Sequence, residues 1–211
     1  MSGSFTRARG GRVKVRLGEP DRAVIAGLLE AVSGMLDPEE GAGDLEEADV
    51  GDDVAPEPGD EDAPELGDDE AVLAELEADL TASPPADPAI ARLLPDASRD
   101  DPDLAQSFRR LTEHELRDHK RTALELAASA LRRPGSVVLD DSEAQALLKG
   151  LTDVRLVLAE RLGIQTDEDA EFLHAALAAG AGDGDQAWSQ AAGLYDVVTF
   201  LQEDLVHTLT P

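Results

Sequence analysis

The stretch His114-Glu115-Leu116-Arg117-Asp118-His119 holds two imidazoles and an intervening carboxylate, the ingredients of a hydrolytic zinc site on a helix. The histidines stand five apart instead of four, which separates them by about 140 degrees around a helix, so they cannot share a metal. They read as exposed side chains on a polar face, and no metal or other cofactor is expected. Gly180-Ala181-Gly182-Asp183-Gly184-Asp185 is glycine-rich. It follows a helical pattern and not a strand, and so lacks the context of a phosphate cradle. Its Asp-Gly-Asp also misses the calcium-loop pattern, because Trp188 stands where glycine is required. There is no G-x-S-x-G elbow, and His174 and His207 have no recognisable nucleophile beside them. The chain has no cysteine, which removes thiolate catalysis, zinc-thiolate sites, disulfides and thiol redox sensing. The expectation is a protein that is not an enzyme.

The basic residues carry more information. Seven of them (Arg109, Arg110, Arg117, Lys120, Arg121, Arg132, Arg133) fall between 109 and 133, against four acids (Glu113, Glu115, Asp118, Glu125). Arg110, Arg117 and Arg121 are seven and four apart, hence on one helix face. With Arg109 and Lys120 they are candidates for contact with phosphates or a partner. The competing reading is a solvated face laced with intrahelical pairs such as Glu113 with Arg117. Arg7, Arg9 and Arg12 form an N-terminal basic arm of the kind that contacts a nucleic-acid backbone or minor groove. Asp153 and Arg155 lie inside the apolar run Leu151-Thr152-Asp153-Val154-Arg155-Leu156. A charge embedded there is expected in a structural ion pair, with Arg109 or Arg110 as the partner, since an unpaired buried ion is expensive.

These residues must be positioned by a chain of 211 residues with a net charge of -28, unevenly spread. Residues 1 to 22 carry six basics and two acids; residues 23 to 91 carry 22 acids and no Lys or Arg. Low overall pI therefore does not exclude nucleic acid. Arg12 to Leu17 alternates polar and apolar, the period of a strand, ended by Gly18 and Pro20. Val24/Ile25, Leu28/Leu29, Val32 and Met35/Leu36 then recur at three and four, predicting a helix of about four turns that stops before Asp37-Pro38. Residues 37 to 70 hold almost no large apolar side chain and are expected to be disordered. Gly-Asp repeats at 43, 51, 59 and 67 fit linker slippage better than a nine-residue calcium roll. A weak helix is read over Asp69 to Leu80.

The second half reads as helical. Asp101-Pro102-Asp103 starts one helix, with Leu104, Phe108 and Leu111 as its stripe. Thr112-Glu113-His114-Glu115 matches a capping box, so a new helix is predicted from there to Arg132 or Arg133, ahead of Pro134-Gly135. Val137-Val138-Leu139 is a strand candidate that could pair with the N-terminal strand. Asp141 or Ser142 is expected to cap the next helix, which runs to Gly163; Thr166 to Asp169 caps another, and a last helix spans about Asp185 to Leu209. The fold class is all-α: a compact multi-helix domain with at most one short two-stranded β ribbon, interrupted by a disordered acidic linker. Residues 1–36 form a basic arm, strand and first helix; 37–86 form the linker; 87–211 form the main domain, packing with 12–36. No membrane span or secretory segment is evident, and a cytoplasmic location is expected.

Arg92-Leu-Leu-Pro95-Asp-Ala97, Phe108-Arg-Arg-Leu-Thr112, Leu151-Thr-Asp153-Val-Arg155-Leu, Arg161-Leu-Gly-Ile164 and Tyr195 through Leu201-Gln202 occur in an order and spacing that resembles the actinobacterial AosR-like family. That family is a domain of unknown function, typically encoded beside the ClpS adaptor and sulfur-carrier cysteine-synthesis genes. The resemblance covers residues 12 to 36 and about 87 to 211. It implies an all-helical cytoplasmic protein, described in some members as an oxidative-stress transcriptional regulator. This chain differs in having no cysteine, so that any redox role would be passive or through Met35, a poor candidate on its own, and in carrying Val197-Val198 and Phe200 where family members tend to have a Trp-Leu pair.

The function expected from both lines is a non-enzymatic transcriptional regulator of a stress response, acting through duplex DNA or the transcription machinery, with the acidic segment competing for the basic surface. The alternative is a protein-interaction module, linked to a sigma factor, another basic protein surface or ClpS-dependent proteolysis, that does not bind DNA. No membrane partner is expected, and a homodimer is compatible with either reading.

Overall fold

The computed structural model describes residues 3–37, 85–98, 100–178 and 186–210. The linker, its Gly-Asp repeats, the weak helix over 69 to 80 and the glycine-rich loop at 180 to 185 lie outside them, apart from the linker's ends Asp37, Pro85 and Ala86. The described elements are β1 (Phe5–Arg7), β2 (Val13–Val15), α1 (Glu19–Met35), α2 (Pro88–Leu93), α3 (Pro102–Arg132), β3 (Val138–Leu139), α4 (Asp141–Leu162), α5 (Asp167–Ala178) and α6 (Gln186–Leu209). The all-α class holds, with one small antiparallel sheet ordered β1-β2-β3.

Alternation of valine with cations makes β2 a half-buried strand: Val13 and Val15 face the core while Lys14 is exposed. Its pairing with β3 sets Val13 against Leu139 and Lys14 against Val138. The ribbon expected between 12–17 and 137–139 is present, and β1 adds a third strand, with Phe5 opposite Val15. No turn signal of the Asn-Gly kind announces β1. Gly10 and Gly11, at φ of 75° and 78°, make the return instead.

One hydrophobic core draws on both sides of the acidic segment. It includes Phe5, Val13, Ile25, Leu29 and Leu36 from the N-terminal part, and Leu93, Leu124, Leu131, Leu147, Leu151, Val198 and Leu205 from the rest. Gly150 lets α1 pack close against α4, because a Cβ there would stand 2.6 Å from Leu29 Cδ2. A smaller cluster of Ala159, Ile164, Leu173 and Ala192, covered by Trp188 and Tyr195, joins the end of α4 to α5 and α6.

Helix ends follow their capping chemistry. Asp101 accepts from Leu104 N–H at 3.0 Å at the start of α3. The cap of α4 is Asp140, one residue before the expected Asp141 or Ser142, and it forms a reciprocal box with Glu143. Gly163 ends α4 in the left-handed region, as its position after the apolar repeat predicts. Thr166 and Asp169 bond reciprocally ahead of α5.

The break expected at Thr112 is absent, since α3 runs unbroken for 31 residues. Thr112 Oγ1 donates to Phe108 O at 2.9 Å, a bond made inside a helix, and so caps nothing. The box-like sequence has no Gly or Pro before it to stop the preceding turn.

Candidate nucleic-acid interface

The five candidate cations of α3 divide by what holds them. Arg109 is buried, bonds Glu113 Oε2 at 3.0 Å and pairs with Asp96. Burial pulls its pKa down, but the bonds to Glu113 and Asp96 outweigh that and raise it. Arg117 grips the other oxygen of Glu113 at 2.7 Å, as helical spacing predicts. Lys120 reaches across to Asp153 on α4 at 2.6 Å. Arg121 lies 3.2 Å from Asp37 and within 4 Å of Asp118 and Glu125. The side chain of Arg110 lies outside the described residues.

Arg132 and Arg133 continue the pattern, pairing with Glu30 at 2.5 Å and Glu143 at 2.9 Å. The bond from Arg132 holds the Glu30 carboxyl below its ordinary range. Among the described residues, the cations of α3 therefore form neutralised pairs and not an open cationic stripe.

Asp153 has Lys120 as its partner, which corrects the expectation of Arg109 or Arg110. Arg109 is consumed by Asp96 and Glu113, whereas Lys120 stands about three turns further along α3, within reach of Asp153 on α4. Burial drives the Asp153 carboxyl upward in pKa, and the hydrogen bond and charge of Lys120 offset that only in part. Arg155 is half-buried and forms no ion pair among the described residues. His114 lies 3.4 Å from Asp118, His119 is exposed, and among the described residues no three potential metal ligands cluster.

The N-terminal arm is a hairpin. Arg7 is committed to structure, donating to Thr208 O at 3.2 Å and Leu209 O at 2.9 Å, the carbonyl end of α6. Arg9, in the turn, and Arg12 are exposed, and their side chains have no hydrogen-bond or ion-pair partner among the described residues. The side chains of Lys14 and Arg16 are exposed and equally unpartnered among the described residues. The buried Val13 and Val15 put Arg12, Lys14 and Arg16 on the solvent face of β2, about 7 Å apart along it.

Lys14 and Arg16 are the residues that the candidate set lacks. The signal for them is in the alternation itself: a strand with valines inward at 13 and 15 must turn 12, 14 and 16 outward together.

An all-α scaffold with a three-stranded sheet whose outer face is cationic, and with most of its other described cations held in pairs, defines the class of this molecule. The chain belongs to the family of the domain of unknown function DUF2017, whose model matches residues 1–209. No curated protein and no solved structure matches it. Among the described residues, no helix is long and apolar enough to cross a membrane.

Proposed function

We propose that this protein is a non-enzymatic transcriptional regulator of a stress response, as its resemblance to the AosR-like family implies, and that the outer face of the sheet is its contact with DNA. The observation that carries the reading is the open set Arg9, Arg12, Lys14 and Arg16, unpartnered while the described cations of α3 are held in pairs. Strands of a β-sheet can face a groove of a duplex, and cations spaced along a strand can neutralise successive phosphates. Each such contact releases counterions, so four contacts would give a log–log salt slope of about 3 to 4.

The test is fluorescence anisotropy of the full chain on duplex DNA from its own upstream region, beside a scrambled duplex, at low and near-physiological salt. Salt-sensitive, preferential binding that is lost in Arg12→Glu/Lys14→Glu and kept in Arg117→Ala is the expected outcome. Absence of binding at both salts overturns the reading.

A second reading, a protein-interaction module without DNA binding, is favoured by the first half of α3. Leu104, Phe108 and Leu111 are 54%, 50% and 81% exposed at i, i+4 and i+7, one apolar stripe of the form that seats in a partner's groove. Leu111→Glu abolishing capture of a sigma factor, with the sheet variants unaffected, would place that reading first.

A further inference from the structure

We infer that the cationic outer face of the sheet has a resident occupant within the same molecule, the acidic segment of residues 38–84. The inference uses the surface described above, but not the identity of any external ligand.

Charge is the first argument. The segment carries 19 acids and no Lys or Arg. The places where it could be neutralised are few, because most described Lys and Arg side chains are already held. Arg92 pairs with Glu160, Arg161 with Asp87 and Arg132 with Glu30, and Arg22 donates to three backbone carbonyls. Outside the hairpin, Lys149 and Arg155 are the cations without such a partner among the described residues, six apart on α4 and therefore on different faces. Arg9, Arg12, Lys14 and Arg16 together make the one dense open cationic patch among the described residues.

Reach is the second argument. The segment leaves from the end of α1, a helix of 17 residues and so about 25 Å long, whose first residue follows β2 by four positions. A chain spans at most about 3.4 Å per residue, so about eight residues cover the length of α1. The segment has 47, which lets acids from its interior meet the sheet without taut chain. Tethering then holds the carboxylates at millimolar effective concentration, and their number removes any need for a unique register.

Lysine placement supplies a direct test. Lys14 is the sole lysine before Lys120, and Lys149, exposed on α4, is an internal comparison. A water-soluble carbodiimide applied to the full chain joins an amine to a carboxylate only where the two are already paired, the reagent leaving as its urea. Digestion at acidic residues and mass spectrometry map the products. Lys14 is expected to link to carboxylates of 38–84 within one molecule, at a yield independent of protein concentration, severalfold above Lys149, and lost at high salt.

Links from Lys14 confined to Glu19 and Asp21, or a yield equal to that of Lys149, overturn the inference. Replacing the 19 acids by Asn and Gln should tighten duplex binding about tenfold at low salt. Lys14 links together with failure of both chains to bind DNA would sink the regulator reading and leave this inference standing. DNA binding without those links would do the reverse.

Discussion

Replacing Lys120 by Met leaves the Asp153 carboxylate, 5% exposed, with no cation. Removing one partner of a buried pair costs about 3 to 5 kcal/mol, and the partial exposure of Lys120 places this case near the lower end. For a chain of this size that is a Tm lower by about 6 to 12 °C. Asp153 is held above the usual carboxylate range by burial, which Lys120 only partly offsets, so losing Lys120 pushes it further up. An acid with a raised folded pKa favours the fold below its unfolded pKa and loses that contribution as pH rises through the folded value. The penalty of Lys120→Met must therefore be small in acid and grow toward neutral pH. Thermal unfolding followed by far-UV circular dichroism at pH about 4.5 and about 8 reads this directly. Asp153→Asn, which removes the charge and keeps the shape, is expected within about 1 kcal/mol of wild type, and in the double variant it should recover most of the loss. Equal destabilisation at both pH values, or a double variant no better than Lys120→Met, would refute the electrostatic account and assign the loss to packing of the lysine stem.

Arg22 is 3% exposed and donates to Leu131 O, Arg133 O and Gly135 O at 3.1, 2.8 and 3.1 Å, so it fastens the carbonyl end of α3 to α1. Arg22→Lys cannot span three acceptors and is expected to cost about 2 to 4 kcal/mol in denaturant unfolding; a loss under about 0.5 would show that water replaces the fork. Gly150→Ala would drive a methyl into Leu29 and Leu124, costing about 1 to 3 kcal/mol, and Leu29→Ala in the same chain should relieve part of it. Additive losses in that pair would contradict the crossing.

The elements most legible in the sequence were those with local chemistry. The valine-cation alternation at 12–17, the apolar repeat ending at Gly163 and the Pro-Gly stop after Arg133 each identify an element within a residue or two. The errors arose where a local signal had no local competitor to exclude it. Thr112 and Glu115 spell a cap, yet Thr112 bonds back into its own helix and Glu113 is shared by Arg109 and Arg117. Partner choice was illegible for a different reason. Whether Asp153 meets Arg109 or Lys120 depends on how α3 lies against α4, and no spacing along either helix encodes that. The same holds for the cations of α3, whose helical grouping is real but whose carboxylate partners come from as far away as Asp37 and Asp153. The open cations were the reverse case: the strand period turns 12, 14 and 16 outward together, yet only Arg9 and Arg12 of the open set were read as part of a basic arm.

The backbone N–H of Phe5 donates to Asp204 at 2.9 Å, and Arg7 holds the carbonyls of Thr208 and Leu209. These contacts join parts of the chain about 200 positions apart. At a ribosomal pace of roughly 5 to 20 residues per second, the first strand waits about 10 to 40 s before the helical turn that anchors it has been made. The hairpin can form soon after residue 15 emerges, its third strand must await residue 139, and its clasp comes only with the last turn of α6. Closing the fold thus waits on α6, and the cationic hairpin is made about 200 positions ahead of the turn that secures it.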